Sequence, residues 1–120
     1  MRPKIDSTEF GSITIDGLVI EHDVIIRLSG EIKKRKKKLS KAVFGTSHKI
    51  SIEEAEYILE KGTEWLIIGS GQNGMVTLSK EASKYFKKKK VRVELASTSE
   101  AIQLWNNAQG SVIGLFHVTC

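Results

Sequence analysis

Residues 65–74 decide the fold of this chain: the apolar run Trp65-Leu66-Ile67-Ile68 leads directly into the loop Gly69-Ser70-Gly71-Gln72-Asn73-Gly74. The run predicts a buried strand, and the loop has the G-x-G-x-x-G spacing of a dinucleotide-binding turn. That fingerprint requires a helix to begin inside the loop, where free amides meet the pyrophosphate. Here the β-prone residues 75–78 come before the next helix cap, Ser79. The stretch therefore predicts a buried strand and a sharp turn, with the fingerprint incomplete.

Helices and strands alternate from residue 51 onward. Ser51 with Glu54 forms a capping box, which predicts a helix start. Ser97 with Glu100 forms another, and Ser79 caps a third helix. Each predicted helix has an apolar stripe at helical spacing, so each should pack one face on a sheet.

Two further strands are predicted downstream. Residues 91–95 follow the helix after the glycine loop, so a right-handed crossover predicts parallel pairing with residues 65–68. Residues 112–116 are mostly apolar and predict a central strand. The sequence leaves the direction of this last strand open.

The N-terminal third predicts antiparallel β-structure. Residues 10–20 form a tight hairpin pattern around the turn at residues 16–17, and residues 24–28 and 31–33 extend it into a meander. Residues 39–49 are predicted to be irregular. The whole pattern predicts a three-layer α/β fold, with a mixed central β-sheet flanked by about three helices and an N-terminal antiparallel β-hairpin or meander.

Length and composition predict an ordinary globular protein. The 120 residues suit a single α/β domain spanning 1–120, and the chain is 40% hydrophobic and 28% charged. No apolar run approaches the ~20 residues that span a bilayer, and the first residues lack a signal-peptide pattern, so we expect a cytoplasmic protein without a membrane partner. The lone cysteine, Cys120, excludes an intrachain disulfide, and three scattered histidines predict no metal site.

Two lysine-rich blocks, residues 33–38 and 87–90, supply much of the net charge of +5. Such a block suggests electrostatic nucleic-acid binding. Neither block contains an aromatic residue for base stacking, and lysine-rich surfaces are also typical of thermophile proteins. We therefore interpret both blocks as solvated surface and keep nucleic-acid binding as an alternative.

The carboxyl ends of parallel strands predict where a ligand would bind. This edge would bring the glycine loop close to the start of the last helix, with His48 or His117 nearby. The predicted binding residues are Gly69, Ser70, Gly71, Gln72, Asn73, Gly74, Ser97, Thr98, His48 and His117. They offer hydrogen-bond donors without a convincing acid–base pair, so a site here favours binding of a small anion or polar ligand over catalysis, and a purely structural turn is the other interpretation. We predict no catalytic residue and no cofactor.

Two further patterns suggest chemistry. Glu94 lies 20 residues after Gly74, about where a ribose-binding acid is expected, although its place near a strand end is also what the fold requires. His117 and Cys120 suggest a Cys/His nucleophile, but these positions point to opposite faces of a strand. We expect Cys120 to be structural.

Four segments together resemble a known family: residues 45–48 (GTSH), residues 67–74, residues 98–101 (TSEA) with Asn106, and the ending 115–120 (LFHVTC). Their order and spacing are similar to the adipogenesis-associated domain proteins, a small α/β family that also includes a mitochondrial respiratory complex I assembly factor. The resemblance implies a three-layer fold with a mixed central sheet. It implies no reaction, because no general catalytic activity is established for that family.

The leading functional hypothesis is a non-enzymatic protein-binding or assembly module with an unidentified protein partner or a second copy of itself. A small-ligand binder or enzyme using residues 69–74 is the first alternative, and nucleic-acid binding through residues 33–38 is the second.

Overall fold

A computed structural model describes residues 2–120, and over this range the chain forms ten strands and four helices. In chain order they are β1 (Ile5–Glu9), β2 (Ser12–Ile15), β3 (Leu18–Ile20), β4 (Val24–Ile26), β5 (Ile32–Lys34), α1 (Lys38–Phe44), β6 (Lys49–Ile50), α2 (Ile52–Ile58), β7 (Trp65–Ser70), β8 (Thr77–Leu78), α3 (Lys80–Lys88), β9 (Arg92–Ala96), α4 (Thr98–Asn107) and β10 (Val112–His117). Of the helices in residues 2–120, none has the length and apolar character needed to cross a bilayer.

Three helices begin at the predicted serine caps. The hydroxyls of Ser51, Ser79 and Ser97 each accept a hydrogen bond from the main-chain N–H three residues later, at 3.1, 3.1 and 3.4 Å. Each bond satisfies one of the N–H groups that a helix start leaves unpaired. α2 ends at Ile58 and α4 at Asn107, a few residues before the glycines at positions 62 and 110.

The central sheet has the strand order β5-β4-β10-β7-β9. β10 lies in the middle, parallel to β7 and antiparallel to β4, and all six of its residues are buried. The predicted parallel pairing of β7 with β9 is confirmed, with Ile67 opposite Glu94. The sheet is therefore mixed, as predicted, and the open question of the last strand's direction is answered by its parallel alignment with β7.

Alternating side chains of the central sheet build two cores. Ile67 and Phe116 face α4 and the strands of the N-terminal sheet, while Ile68 and Leu115 face α2 and α3. Successive side chains of a strand point to opposite faces of the sheet, so a strand that is apolar at every position must be covered on both faces. The three layers follow directly from this arrangement.

The N-terminal strands do not form one meander. β1, β2 and β3 make a separate antiparallel sheet, whereas β4 and β5 join the central sheet. The predicted hairpin is confirmed, since Asp16 and Gly17 both have positive φ (48° and 79°), which matches the twist of a tight two-residue turn. β1 was not predicted, and Phe10 lies in the turn after it.

The prediction that residues 39–49 are irregular is wrong, because α1 occupies Lys38–Phe44 and raises the number of helices to four in residues 2–120. Its start at Lys37 has no side-chain cap and its first turn has no acidic residue, so the usual sequence signals are missing. Buried Ser40, which bonds to Ser51 and Glu54 of the next helix, holds it in place. Tertiary contacts rather than local propensity form this helix.

Candidate functional site

The glycine loop begins two residues later than predicted. β7 continues through Gly69 and Ser70, which pair with Phe116 and His117 of β10. The turn starts at Gly71, where φ is +105°, and leads into the short strand β8. No helix begins within this loop, so it lacks the helix N-terminus that binds a pyrophosphate.

The amides of the loop already have partners within the chain. The N–H groups of Gln72 and Asn73 donate to the carbonyl oxygens of Thr119 and Cys120 at 2.8 and 2.9 Å. The Gly71 N–H donates to the hydroxyl of Thr98 at 2.9 Å. These donors, which the sequence suggested for a ligand, are therefore used within the chain: one binds Thr98, and two hold residues 119–120.

Glycine is required at position 71 for a steric reason. A Cβ at Gly71 would lie 2.8 Å from the Cys120 carbonyl oxygen and 2.8 Å from Cδ2 of His117. Positive φ adds strain for any residue with a side chain. The loop is thus shaped for close approach of the chain's own backbone.

Thr98 and Ser70 link the loop to its neighbours. The Thr98 hydroxyl donates to the His117 carbonyl oxygen at 2.6 Å, and the Ser70 hydroxyl donates to the Ala96 carbonyl oxygen at 2.8 Å. Ser97 remains a helix cap with its hydroxyl on Glu100. The structure therefore brings most of the predicted site residues into one hydrogen-bonded cluster.

His48 and His117 lie beside each other. Their ring centroids are 5.5 Å apart in an edge-to-face arrangement. Cys120 is partly exposed and carries a free thiol. His117 therefore borders the loop at Gly71, and His48 lies behind it against the His117 ring.

A buried ion network, which no sequence pattern indicated, lies next to His117. The Arg35 guanidinium donates to both carboxylate oxygens of Glu54 at 2.7 and 3.0 Å, and to Oδ2 of Asp23 at 3.0 Å. A further N–H donates to the Ser47 carbonyl oxygen at 2.8 Å. Arg35, Asp23 and Glu54 are each at most 3% exposed, so this network is shielded from solvent.

The network shifts the ionisation of its members. Burial alone would raise the pKa of Asp23, but hydrogen bonds from His117 and from the Val118 N–H, with the charges of His117 and Arg35, lower it to about 2. Burial alone would lower the pKa of Arg35, but its bonds to Glu54 and Asp23 raise it overall. Both groups are therefore held in their charged forms.

Asp23, His117 and Thr119 form a hydrogen-bonded chain. Nδ1–H of His117 donates to Oδ2 of Asp23 at 2.7 Å, and the Thr119 hydroxyl lies 3.1 Å from Nε2 of the same ring. This order of carboxylate, imidazole and hydroxyl is the arrangement that activates a nucleophile in acyl-transfer enzymes. Thr119 is partly exposed, while the other two side chains are buried.

The first lysine block does not present one continuous charged face. Arg35 points into the protein, and the ammonium of Lys36 lies 4.7 Å from the centroid of the Tyr57 ring. The single arginine among lysines was the available sequence signal, since arginine is the usual partner in buried ion pairs. Asp23 has no comparable local signal.

A groove of about 600 Å³ lies between α4 and β9, on the face away from α2 and α3. Its lining includes the apolar residues Trp65, Ala96 and Leu104 and the polar residues Glu94, Glu100 and Gln103. The indole N–H of Trp65 is buried and has no acceptor within residues 2–120, while the Arg92 guanidinium lies 4.2 Å from the indole centroid. Glu94 therefore belongs to a groove wall rather than to the glycine loop.

Comparison with known proteins gives a family model and several similar structures. A model described as "Protein of unknown function (DUF498/DUF598)" matches residues 5–114. The crystal structure of a conserved hypothetical protein, PH1505 from Pyrococcus horikoshii OT3, is 36% identical, with a TM-score of 0.88 over 98% of this chain and 99% of that one. A structure named MT938 is 30% identical, with a TM-score of 0.83 over 98% and 99% of the two chains.

A third structure is similar in fold alone. It is a Bordetella pertussis protein described as a Mth938-like domain, which is 15% identical, with a TM-score of 0.61 over 97% of this chain and 85% of that one. The descriptions of these proteins state no reaction and no ligand.

Proposed function

We propose, on the premise that this chain belongs to the DUF498/DUF598 family of proteins of unknown function, that it is a cytoplasmic, non-enzymatic protein-binding or assembly module. Its partner binds in the groove between α4 and β9. The single observation that carries this proposal is the coincidence of a solvent-facing apolar floor with an open strand edge along β9. Protein interfaces commonly combine an apolar centre with a polar rim.

The glycine loop is a poorer binding site than the α4–β9 groove, because residues 119–120 of the chain already occupy it. Its amides bond to Thr119 and Cys120, so a ligand entering there would have to displace the chain's own backbone. The α4–β9 groove needs no such displacement. The resemblance to the adipogenesis-associated domain proteins, which include an assembly factor, also supports an assembly role.

Affinity purification at native expression level tests the proposal. We expect a partner to be recovered with the wild type and to be lost with Glu94→Lys, which reverses a charge in the groove. Glu56→Lys makes the same charge change at an exposed position of α2 and should retain the partner. Recovery that is equal for all three proteins, or no stable partner, would overturn the proposal.

The hydrogen-bonded chain of Asp23, His117 and Thr119 favours a second candidate function, an acyl-transfer enzyme. In that reaction the Thr119 oxygen would bond to an ester carbonyl carbon while its proton moves to Nε2 of His117. The proton would then pass to the departing alcohol, and water would release the acyl group. Thr119→Ser keeps the hydroxyl and should still hydrolyse a chromogenic acetate ester, whereas Thr119→Val lacks it and should not. If the wild type turns the ester over no faster than Thr119→Val does, this candidate is ruled out.

A further inference from the structure

The main chain of β9 has hydrogen-bonding groups that face away from the sheet. β9 is an edge strand of the central sheet within residues 2–120. The Arg92 N–H donates toward the β7 side, to the Glu64 carbonyl oxygen at 3.0 Å. Because a strand alternates its bonding between the two sides, the main-chain groups of Val93 and Leu95 face outward. They form a short template for another strand.

The side chains of β9 alternate between two environments. Glu94 and Ala96 line the groove beside α4, while Val93 packs on the opposite face against the core under α3. Leu95 shares that opposite face and is 38% exposed. In a strand added along β9, the residue opposite Glu94 would therefore meet a polar environment, and the residues before and after it would meet the apolar side chains of Val93 and Leu95.

The polar environment is acidic on balance, because two carboxylates lie beside one guanidinium, that of Arg92, which is paired with Glu94. Glu94 and Glu100 both line the groove, although the chain as a whole carries a net charge of +5. One oxygen of Glu94 bonds to Arg92 at 2.5 Å, and one oxygen of Glu100 accepts from Ser97 at 2.9 Å. The second oxygen of each carboxylate has no hydrogen-bond donor within the described residues.

Two other edge strands, β5 and β3, lack this combination. At the far edge of the same sheet, β5 carries the exposed residues Lys33 and Lys34, a usual means of preventing strand addition. β3 exposes Leu18 and Val19 but contains no acidic residue. Of these three edge strands, β9 is the one that joins outward main-chain groups to a carboxylate-lined groove.

We infer that the occupant of the α4–β9 groove is an extended segment of a partner protein that adds as a strand to β9 and carries a basic residue between two apolar residues. The basic side chain enters the groove beside Glu94 and Glu100. The two apolar side chains lie opposite Val93 and Leu95 on the other face. This inference rests on the proposed function and specifies the partner's chemistry.

A designed peptide tests the inference without knowledge of the natural partner. The probe is a short peptide with valine–lysine–valine at its centre, titrated into the full chain and followed by amide NMR. We expect shifts at the amides of Val93 and Leu95. A peptide with glutamate in place of lysine should bind more weakly. A peptide with N-methylated valines should not bind, because in an antiparallel pairing the valine nitrogens are the donors to the outward carbonyl oxygens of Val93 and Leu95.

Two protein variants separate charge recognition from strand addition. Glu94→Lys should weaken binding of the lysine peptide by roughly fivefold, the size of a cross-strand charge pair. Leu95→Pro removes an outward N–H without removing a bond to β7, so binding should be lost while the amide spectrum stays folded. Glu56→Lys, the matched charge change on α2, should bind like the wild type.

The outcomes distinguish this inference from the proposed function. Equal binding of the lysine and glutamate peptides, or binding of the N-methylated peptide, would overturn the inference. If no peptide binds but a cellular partner still depends on Glu94, the inference fails and the proposed function stands. If no partner depends on Glu94 either, both fail.

Discussion

Arg35 connects two parts of the chain that are separate in sequence. Its guanidinium bonds to Asp23, just before β4, and to Glu54 in α2, and all three side chains are buried. Arg35→Met keeps an unbranched side chain but leaves two carboxylates without their cation. We expect a loss of about 3–5 kcal/mol in the free energy of unfolding, measured by urea denaturation. The control Lys33→Met, at an exposed position of β5, should change the free energy of unfolding by less than about 0.5 kcal/mol. Equal losses in the two variants would contradict a structural role for the buried ion network.

Asp23 makes stability depend on pH in the acid range. Its pKa is about 2 in the folded protein against an ordinary value of 3.8. A carboxylate with a depressed folded pKa stabilises the protein above its unfolded pKa, and this contribution is lost as the pH falls through the folded pKa. The difference corresponds to roughly 2 kcal/mol. Urea midpoints measured from about pH 4 down to about pH 2 should fall more steeply for the wild type than for Asp23→Asn; parallel curves would show that Asp23 is not the group responsible.

Gly71 is predicted to be the least replaceable glycine of the loop. Gly71→Ala would place Cβ against the Cys120 carbonyl and His117, at positive φ. We expect about 2–4 kcal/mol of destabilisation from overpacking together with backbone strain. Gly17→Ala is the matched control, because Gly17 also has positive φ but open space around it, and should cost about 1 kcal/mol. Similar thermal midpoints for the two variants would argue against the tight contact.

The sequence could predict only those residues of the candidate site that lie at the ends of strands, because such ends meet at one edge of the sheet. Residues 69–74, Thr98 and His117 were predicted to meet because strand ends in a parallel sheet share one edge. Asp23 lies 94 residues before His117, and no local pattern indicates that contact. Residues 119–120 reach the loop because of the register between β10 and β7, which composition and periodicity do not specify.

At the scale of elements, β10 is the strand on which the sheet depends. Its neighbours bond to it on both edges, and Leu115 is buried in the core beneath α2 and α3. Leu115→Ala should therefore lower the free energy of unfolding by about 2–5 kcal/mol, through lost burial and an unfilled cavity. Leu95→Ala, on the partly exposed edge strand β9, should cost much less in the same denaturation experiment. A small loss at Leu115 would contradict the central position of β10.

Elements with complete local signals were predicted, and elements that depend on tertiary contacts were not. Ser51, Ser79 and Ser97 each indicate a helix by a cap that needs no distant partner. α1 has no such cap, and β1 consists largely of polar residues, so neither has the local pattern of its structure. Assignment of β4 and β5 to the central sheet also depends on contacts with β10 that the local sequence does not contain.

At the scale of the whole molecule, the charged and polar side chains discussed above lie in two separate regions. The buried cluster around Asp23, Arg35 and His117 fixes the C-terminal segment against the glycine loop, and its ion pairs are shielded from solvent. The α4–β9 groove instead presents apolar surface and unpaired carboxylate oxygens to the outside. The first region therefore contributes to stability, and the second is the one at which we propose that a partner binds.

In-cell photo-crosslinking tests this assignment most directly. A photoreactive phenylalanine analogue is placed at Gln103, an exposed position of α4 that lines the groove, and as a control at Lys41, an exposed position of α1. We expect a discrete crosslinked partner from Gln103 that disappears with Glu94→Lys and is not obtained from Lys41. The same products from both positions, or Gln103 products that persist with Glu94→Lys, would contradict the assignment of partner binding to the groove.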